Sequence, residues 1–152
     1  MRLDFHTHGK LAKKLPFSTA YTDWLFGEAR RAGLDALCLT EHFNTLQFAD
    51  VYGYIASVSR RTGDALELEN GLRVFPGMET DVAEGGHILS IGPLEAILEL
   101  NRRLEPHKER GTFCPSLGSW SCSTNTLCWW AAAIPFASAV MCLSCRRSSS
   151  AV

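Results

Sequence analysis

With 152 residues and a formal net charge of −1, the chain is long enough for one domain with a real core. It lacks the cationic excess that nucleic acid or an anionic membrane surface would require of a partner. An apolar content of 46% is that of an ordinary globular protein. Asp4, His6 and His8 interrupt any apolar run near the start, so no secretory leader is read there and the cytoplasm is the expected compartment. Composition is uneven: five of the six cysteines and three of the four tryptophans lie beyond residue 111, whereas Glu109 is the last acidic residue. Residues 1–110 are therefore expected to form an α/β domain, and residues 111–152 an atypical tail.

In chain order, residues 2–5 read as a short buried strand and residues 19–33 as a helix. Thr22 or Asp23 can cap that helix, Leu25, Phe26 and Ala29 supply an apolar stripe, and Gly33 stops it. An apolar strand follows in LDALCLTEH, ending at Thr40, Glu41 and His42. Residues 48–63 read as a second helix closed by Gly63, LRVFPGMET as a strand ending at Glu79, and GGHILSIGP as a short fourth strand. Residues 94–104 read as a third helix. Strand and helix alternate as in an α/β domain with a parallel sheet, where functional groups gather at the carboxyl ends of strands. Here those ends carry His6 and His8, Glu41 and His42, Glu79, and His87.

Two strand residues two apart face the same way, so His6 and His8 can chelate one cation. Imidazole and carboxylate donors suit Zn, Mn or Fe, and Glu79 on another strand end is the natural bridging carboxylate. His42 and His87 can complete or extend the cluster. Closely spaced metals clamp a phosphate and activate a water toward ester hydrolysis. The bland alternatives are polar strand ends, an exposed turn at Glu41 and a capping role for Glu79. His107 reads as a surface residue.

At these residues the chain resembles the PHP family (polymerase and histidinol phosphatase) of metal-dependent phosphoesterases. DFHTH is similar to its first motif, LTEHFN to its second and PGMETDVAEGGHILSIG to its third, in order over residues 1 to 110. The resemblance implies the N-terminal part of a distorted (β/α)7 barrel, incomplete at the C-terminus, with two or three divalent ions per intact site. It implies that His6 and His8 bind the first metal, that Glu79 bridges the first and second, that His87 binds the second and that His42 binds a third. His6, His8 and Glu79 would then carry the catalysis, and a small phosphorylated compound, such as a histidinol-phosphate-like monoester, would be the substrate. Where relatives often carry a further His or Asp, this chain has Lys13 and Lys14. A lysine there, Lys14 in the first instance, can hold a substrate phosphate as a point charge. The family's later His and Asp-x-His motifs have no counterpart after His107 and Glu109.

Three readings of the tail compete. Residues 127–145 are nearly all apolar, long enough to span a bilayer, and followed by Arg146 and Arg147, as in a membrane anchor. Cys114, Cys122, Cys128, Cys142 and Cys145 offer a zinc site, although only Cys142 and Cys145 have the C-x2-C spacing. Third, the tail reads as an out-of-frame translation: a shifted reading of LCWWAAAIPFA forces Leu-Val-Gly and permits a following His-Pro. The tail decides between an active phosphoesterase, an inactive truncated fragment and a membrane-tethered metal-binding domain.

Overall fold

A computed structural model describes residues 1–83 and 85–114, and the backbone of residues 139–142. Strand β1 (Leu3–Thr7) leads through a loop into helix α1 (Thr19–Arg31), followed by β2 (Ala36–His42) and α2 (Phe48–Ser57). A hairpin of β3 (Ser59–Thr62) and β4 (Ala65–Leu68) comes next, then β5 (Arg73–Asp81), β6 (His87–Ile91), α3 (Leu94–Arg103), a 3-10 turn (Glu105–His107) and β7 (Ala139–Cys142).

Local chemistry accounts for these bounds. The Ser18 hydroxyl accepts from the Tyr21 amide and caps α1, while Gly33, at φ +83°, turns the chain just beyond it. Strand β2 is buried along nearly its whole length, as its unbroken apolar run requires. Phe48, Val51, Tyr52 and Ile55 of helix α2 are buried in one core cluster with Leu37, Leu39 and Met78. Pro76 removes one ladder donor from β5. The buried Tyr52 hydroxyl supplies a donor at this level, to the carbonyls of Leu39 (2.7 Å) and Gly77.

Strands β1, β2 and β5 are parallel neighbours, which places their carboxyl ends on one edge. The rest of the sheet departs from the expected barrel. Strand β5 pairs antiparallel with β4 near its start and with β6 from Gly77 to Asp81, and β7 runs parallel to β6. The described residues thus form one open, mixed sheet, ordered β1-β2-β5-β4-β3 with β6 and β7 branching from β5. The (β/α)7 barrel expectation is therefore overturned. A parallel partner needs a crossover of a dozen or more residues. Here β5 turns directly into β6 through the loop 82–86, closed by a Val82 amide to Gly86 carbonyl bond of 3.1 Å.

The second helix also ends earlier than expected. Residues 58–63 do not extend α2; Ser59–Thr62 turns back as β3, and Gly63, at φ +63°, opens a tight loop to β4 rather than closing a helix. No described helix is long and apolar enough to cross a membrane. The apolar span 127–145, Cys122, Cys128 and Cys145, and the proposed out-of-frame stretch lie outside the described residues, apart from the backbone of 139–142.

Candidate metal centre

The carboxyl-end edge of β1, β2 and β5 gathers the histidines around one carboxylate. Strand β1 carries a register irregularity between Asp4 and Thr7, and the Asp4 carboxylate accepts from the His6 amide at 2.9 Å. Such bulges re-aim a side chain. His6 and His8 both turn inward, ring centroids 5.0 Å apart, with Nε2 atoms 3.0 Å and 3.2 Å from Glu79 Oε2. His42 lies opposite Glu79 in the β2–β5 register, and its Nδ1 stands 3.3 Å from the same oxygen. His87 Nδ1 reaches the other oxygen, Oε1, at 2.9 Å.

His87 was expected at a carboxyl end but opens β6; because β6 runs antiparallel, its first residue still falls on this edge. Four imidazoles from three sequence segments therefore meet one buried carboxylate. Burial raises the pKa of Glu79, but hydrogen bonds from His8 and His6 and the charges of His42 and His87 outweigh that and bring it down to about 2. The carboxylate is ionised at any working pH.

Two groups of donors lie close enough to share an ion: His6, His8 and Glu79, and His42, Glu79 and Asp81. Asp81 escaped the sequence reading, although it sits two residues beyond Glu79 on one strand and therefore on the same face, by the spacing that singled out His6 and His8. Its Oδ1 accepts from His87 Nδ1 at 2.8 Å, a cross-strand pair in register.

Glu41 is fully buried behind the donors rather than among them. It accepts from the Gly9 amide at 3.0 Å and the His42 amide at 3.2 Å, and lies 3.8 Å from His8 Nδ1. Desolvation raises its pKa, against the charge of His8 and the two amides. Glu41 thus ties the chain just after β1 to the end of β2 through the Gly9 and His42 amides, and places a carboxylate behind the His8 ring. Lys14 is exposed, and no hydrogen bond or ion pair to it occurs among the described residues. Lys13 is the lysine that faces the cluster, its Nζ 3.6 Å from Asp81 Oδ2. His107 is at the surface side of the 3-10 turn, bonded to the Thr112 carbonyl.

The donors fit a divalent ion on their own chemistry. His8 and His42 stack at 4.4 Å, so charging both rings brings like charges together. Burial, with the charges of His8 and Lys13, lowers the pKa of His42 against the pull of Glu79. For His8, burial opposes the charged ring, but the Glu79 hydrogen bond and the charges of Glu41 and Glu79 raise its pKa. His42 Nδ1, the ring nitrogen that faces Glu79, is buried without a hydrogen-bond partner. Ligation of a shared cation would satisfy the converging nitrogens without crowding protons between them. The described residues thus contain His/Glu/Asp groups able to hold a metal ion.

No family model matches the chain, and no curated protein matches it. Among solved structures, the crystal structure of PsfC from Pseudomonas syringae PB-5123 is similar over 64% of this chain, at 27% identity and a TM-score of 0.49. The chain spans 43% of that protein's length.

Proposed function

We propose that the chain is a metal-dependent phosphoesterase of the PHP type that hydrolyses a small phosphate monoester. The observation that supports this most is the convergence of His6, His8, His42 and His87 on Glu79 within one edge of the sheet. The motifs that carry the family resemblance are the segments that meet there, so the proposal keeps the family's chemistry without its barrel.

In this reading His6, His8 and Glu79 hold one ion, and His42, Glu79 and Asp81, with His87 beside Asp81, form a second group. Imidazole nitrogens and carboxylate oxygens suit Zn, Mn or Fe. When bound, such ions polarise a phosphoryl oxygen and make a water nucleophilic at neutral pH. The protein's part is geometric and electrostatic. The strand edge fixes the donors, Glu41 holds the backbone of Gly9 and His42, and buried Glu79 supplies the negative charge at the centre. Two of the rings, His6 and His87, are exposed enough to leave the cluster open on the solvent side.

Phosphate release from a panel of monoesters, histidinol phosphate included, tests the reading. The full chain, loaded in turn with Mn2+ and Zn2+, is expected to release phosphate, and chelation or His8→Ala to abolish that release. Tight cation binding with no release from any monoester would leave the ion site standing and overturn the hydrolase.

A further inference from the structure

The loop from β1 to α1 buries one lysine and aims another. Lys10 is 5% exposed, while Leu11 between them is 71% exposed and Lys14 is exposed. The buried Lys10 ammonium donates to the Leu46 carbonyl at 2.6 Å and to the Lys13 carbonyl at 3.4 Å. The Lys13 carbonyl also accepts from the Leu46 amide at 2.9 Å and the Thr45 hydroxyl at 3.1 Å. Of the three donors on this carbonyl, two come from the segment just after His42 and lock the Lys13 backbone to it.

The Lys13 side chain is held far less firmly. Its Nζ lies 3.6 Å from Asp81 Oδ2, longer than a hydrogen bond, and the side chain is 38% exposed. An ion pair of that kind contributes little and exchanges readily. Asp81 keeps a second partner in His87, so it is not stranded when Lys13 leaves. Asp81 belongs to one of the two donor groups, so the Lys13 ammonium stands at the border of the cluster. A fixed backbone, a loosely held ammonium and a position beside Asp81 of the donor cluster together make an anion-holding arm. An ammonium is a compact charge with three donors, suited to phosphoryl oxygens.

The geometry points to Lys13 as the substrate-contact residue of this site, resting on Asp81 in the free chain and turning to the phosphoryl oxygens of a bound phosphate monoester. The assignment rests on the phosphoester reading and deepens it by naming the group that recognises the phosphate.

Calorimetric titration of inorganic phosphate into the Mn2+-loaded full chain tests this, with Lys13→Ala, Lys13→Arg and Lys14→Ala alongside and a Mn2+ titration of each. Lys13→Ala is expected to weaken phosphate binding about tenfold, the scale of one charge-assisted hydrogen bond. Lys13→Arg is expected to retain most of the affinity, Lys14→Ala to match the unaltered chain, and Mn2+ affinity and stoichiometry to stay the same throughout. Because the locked group is the Lys13 carbonyl, the variants are expected to melt with the unaltered chain. Unchanged phosphate affinity in Lys13→Ala overturns the assignment, most informatively if the variant takes up an additional Mn2+, since Lys13 then fills a cation position. Loss confined to Lys14→Ala overturns it as well, as does a loaded chain that binds no phosphate. A Lys13-dependent phosphate site without turnover sinks the hydrolase reading alone.

Discussion

Glu79→Gln is expected to weaken Mn2+ or Zn2+ binding by at least about 100-fold while leaving the chain folded. The size of the effect follows from position. Glu79 belongs to both groups of donors, with Oε2 beside His6, His8 and His42 and Oε1 beside His87. Removing any one imidazole damages part of the cluster, whereas removing this charge damages all of it. The amide is isosteric and the backbone carbonyl that accepts from the Phe43 amide is untouched, so the strand ends keep their arrangement.

In the cation-free chain the variant also loses stability at neutral pH, with a definite sign. The folded carboxylate titrates at about 2 against an ordinary value of 4.5. Its contribution is therefore fully present above about 4.5 and disappears as the pH falls toward 2. Competition calorimetry and melting curves across that range check both parts. Undiminished cation affinity in the variant would remove Glu79 from the centre.

Gly77→Ala is expected to destabilise the fold by about 1 to 3 kcal/mol, the range for forcing extra volume into a packed interior. Gly77 lies mid-strand in β5, opposite Thr40 on one side and Ile91 on the other. A Cβ there would sit 2.8 Å from the Ser90 carbonyl oxygen, 2.9 Å from Thr40 Cγ2 and 3.1 Å from the Leu39 carbonyl oxygen. Two of the three are backbone atoms of neighbouring strands and cannot retreat without opening the ladder, and the Gly77 carbonyl also receives the Tyr52 hydroxyl. Glu79 is two residues further along, so cation affinity should fall with stability. Gly27→Ala in α1 is the control: nothing lies within 4 Å of its Cβ, and the change should stabilise by about 0.5 to 1 kcal/mol. Thermal melts of both report the result, and a Gly77→Ala chain melting with the unaltered one would contradict the crowding.

The parts of the fold legible in the sequence are those where burial is symmetric or periodicity is strong. The run before Thr40 is apolar without a break because β2 is buried on both faces, and Gly33 punctuates α1. The β3–β4 hairpin was hidden because residues 58–68 carry Arg60, Arg61 and Thr62 on an exposed strand with no inward stripe. Strand direction leaves no periodic trace, so β6 read as one more parallel strand; Gly85 and Gly86, both at positive φ, were the available hint of a direct reversal. For the site, His6, His8, His42, Glu79 and His87 all reach one cluster. Asp81 was recoverable from its spacing to Glu79. That Lys13 rather than Lys14 stands beside Asp81 was not, because it depends on a loop clasped by buried Lys10.

The most direct test of the central claim, that these histidines hold a cation against Glu79, is X-ray absorption on the Zn2+-loaded full chain. The expected spectrum has a first shell of nitrogen and oxygen at about 2.0 to 2.2 Å with the outer scattering of at least two imidazoles, lost in Glu79→Gln. A sulfur shell at about 2.3 Å would place the ion on the cysteines instead, and the absence of imidazole scattering would contradict the cluster outright.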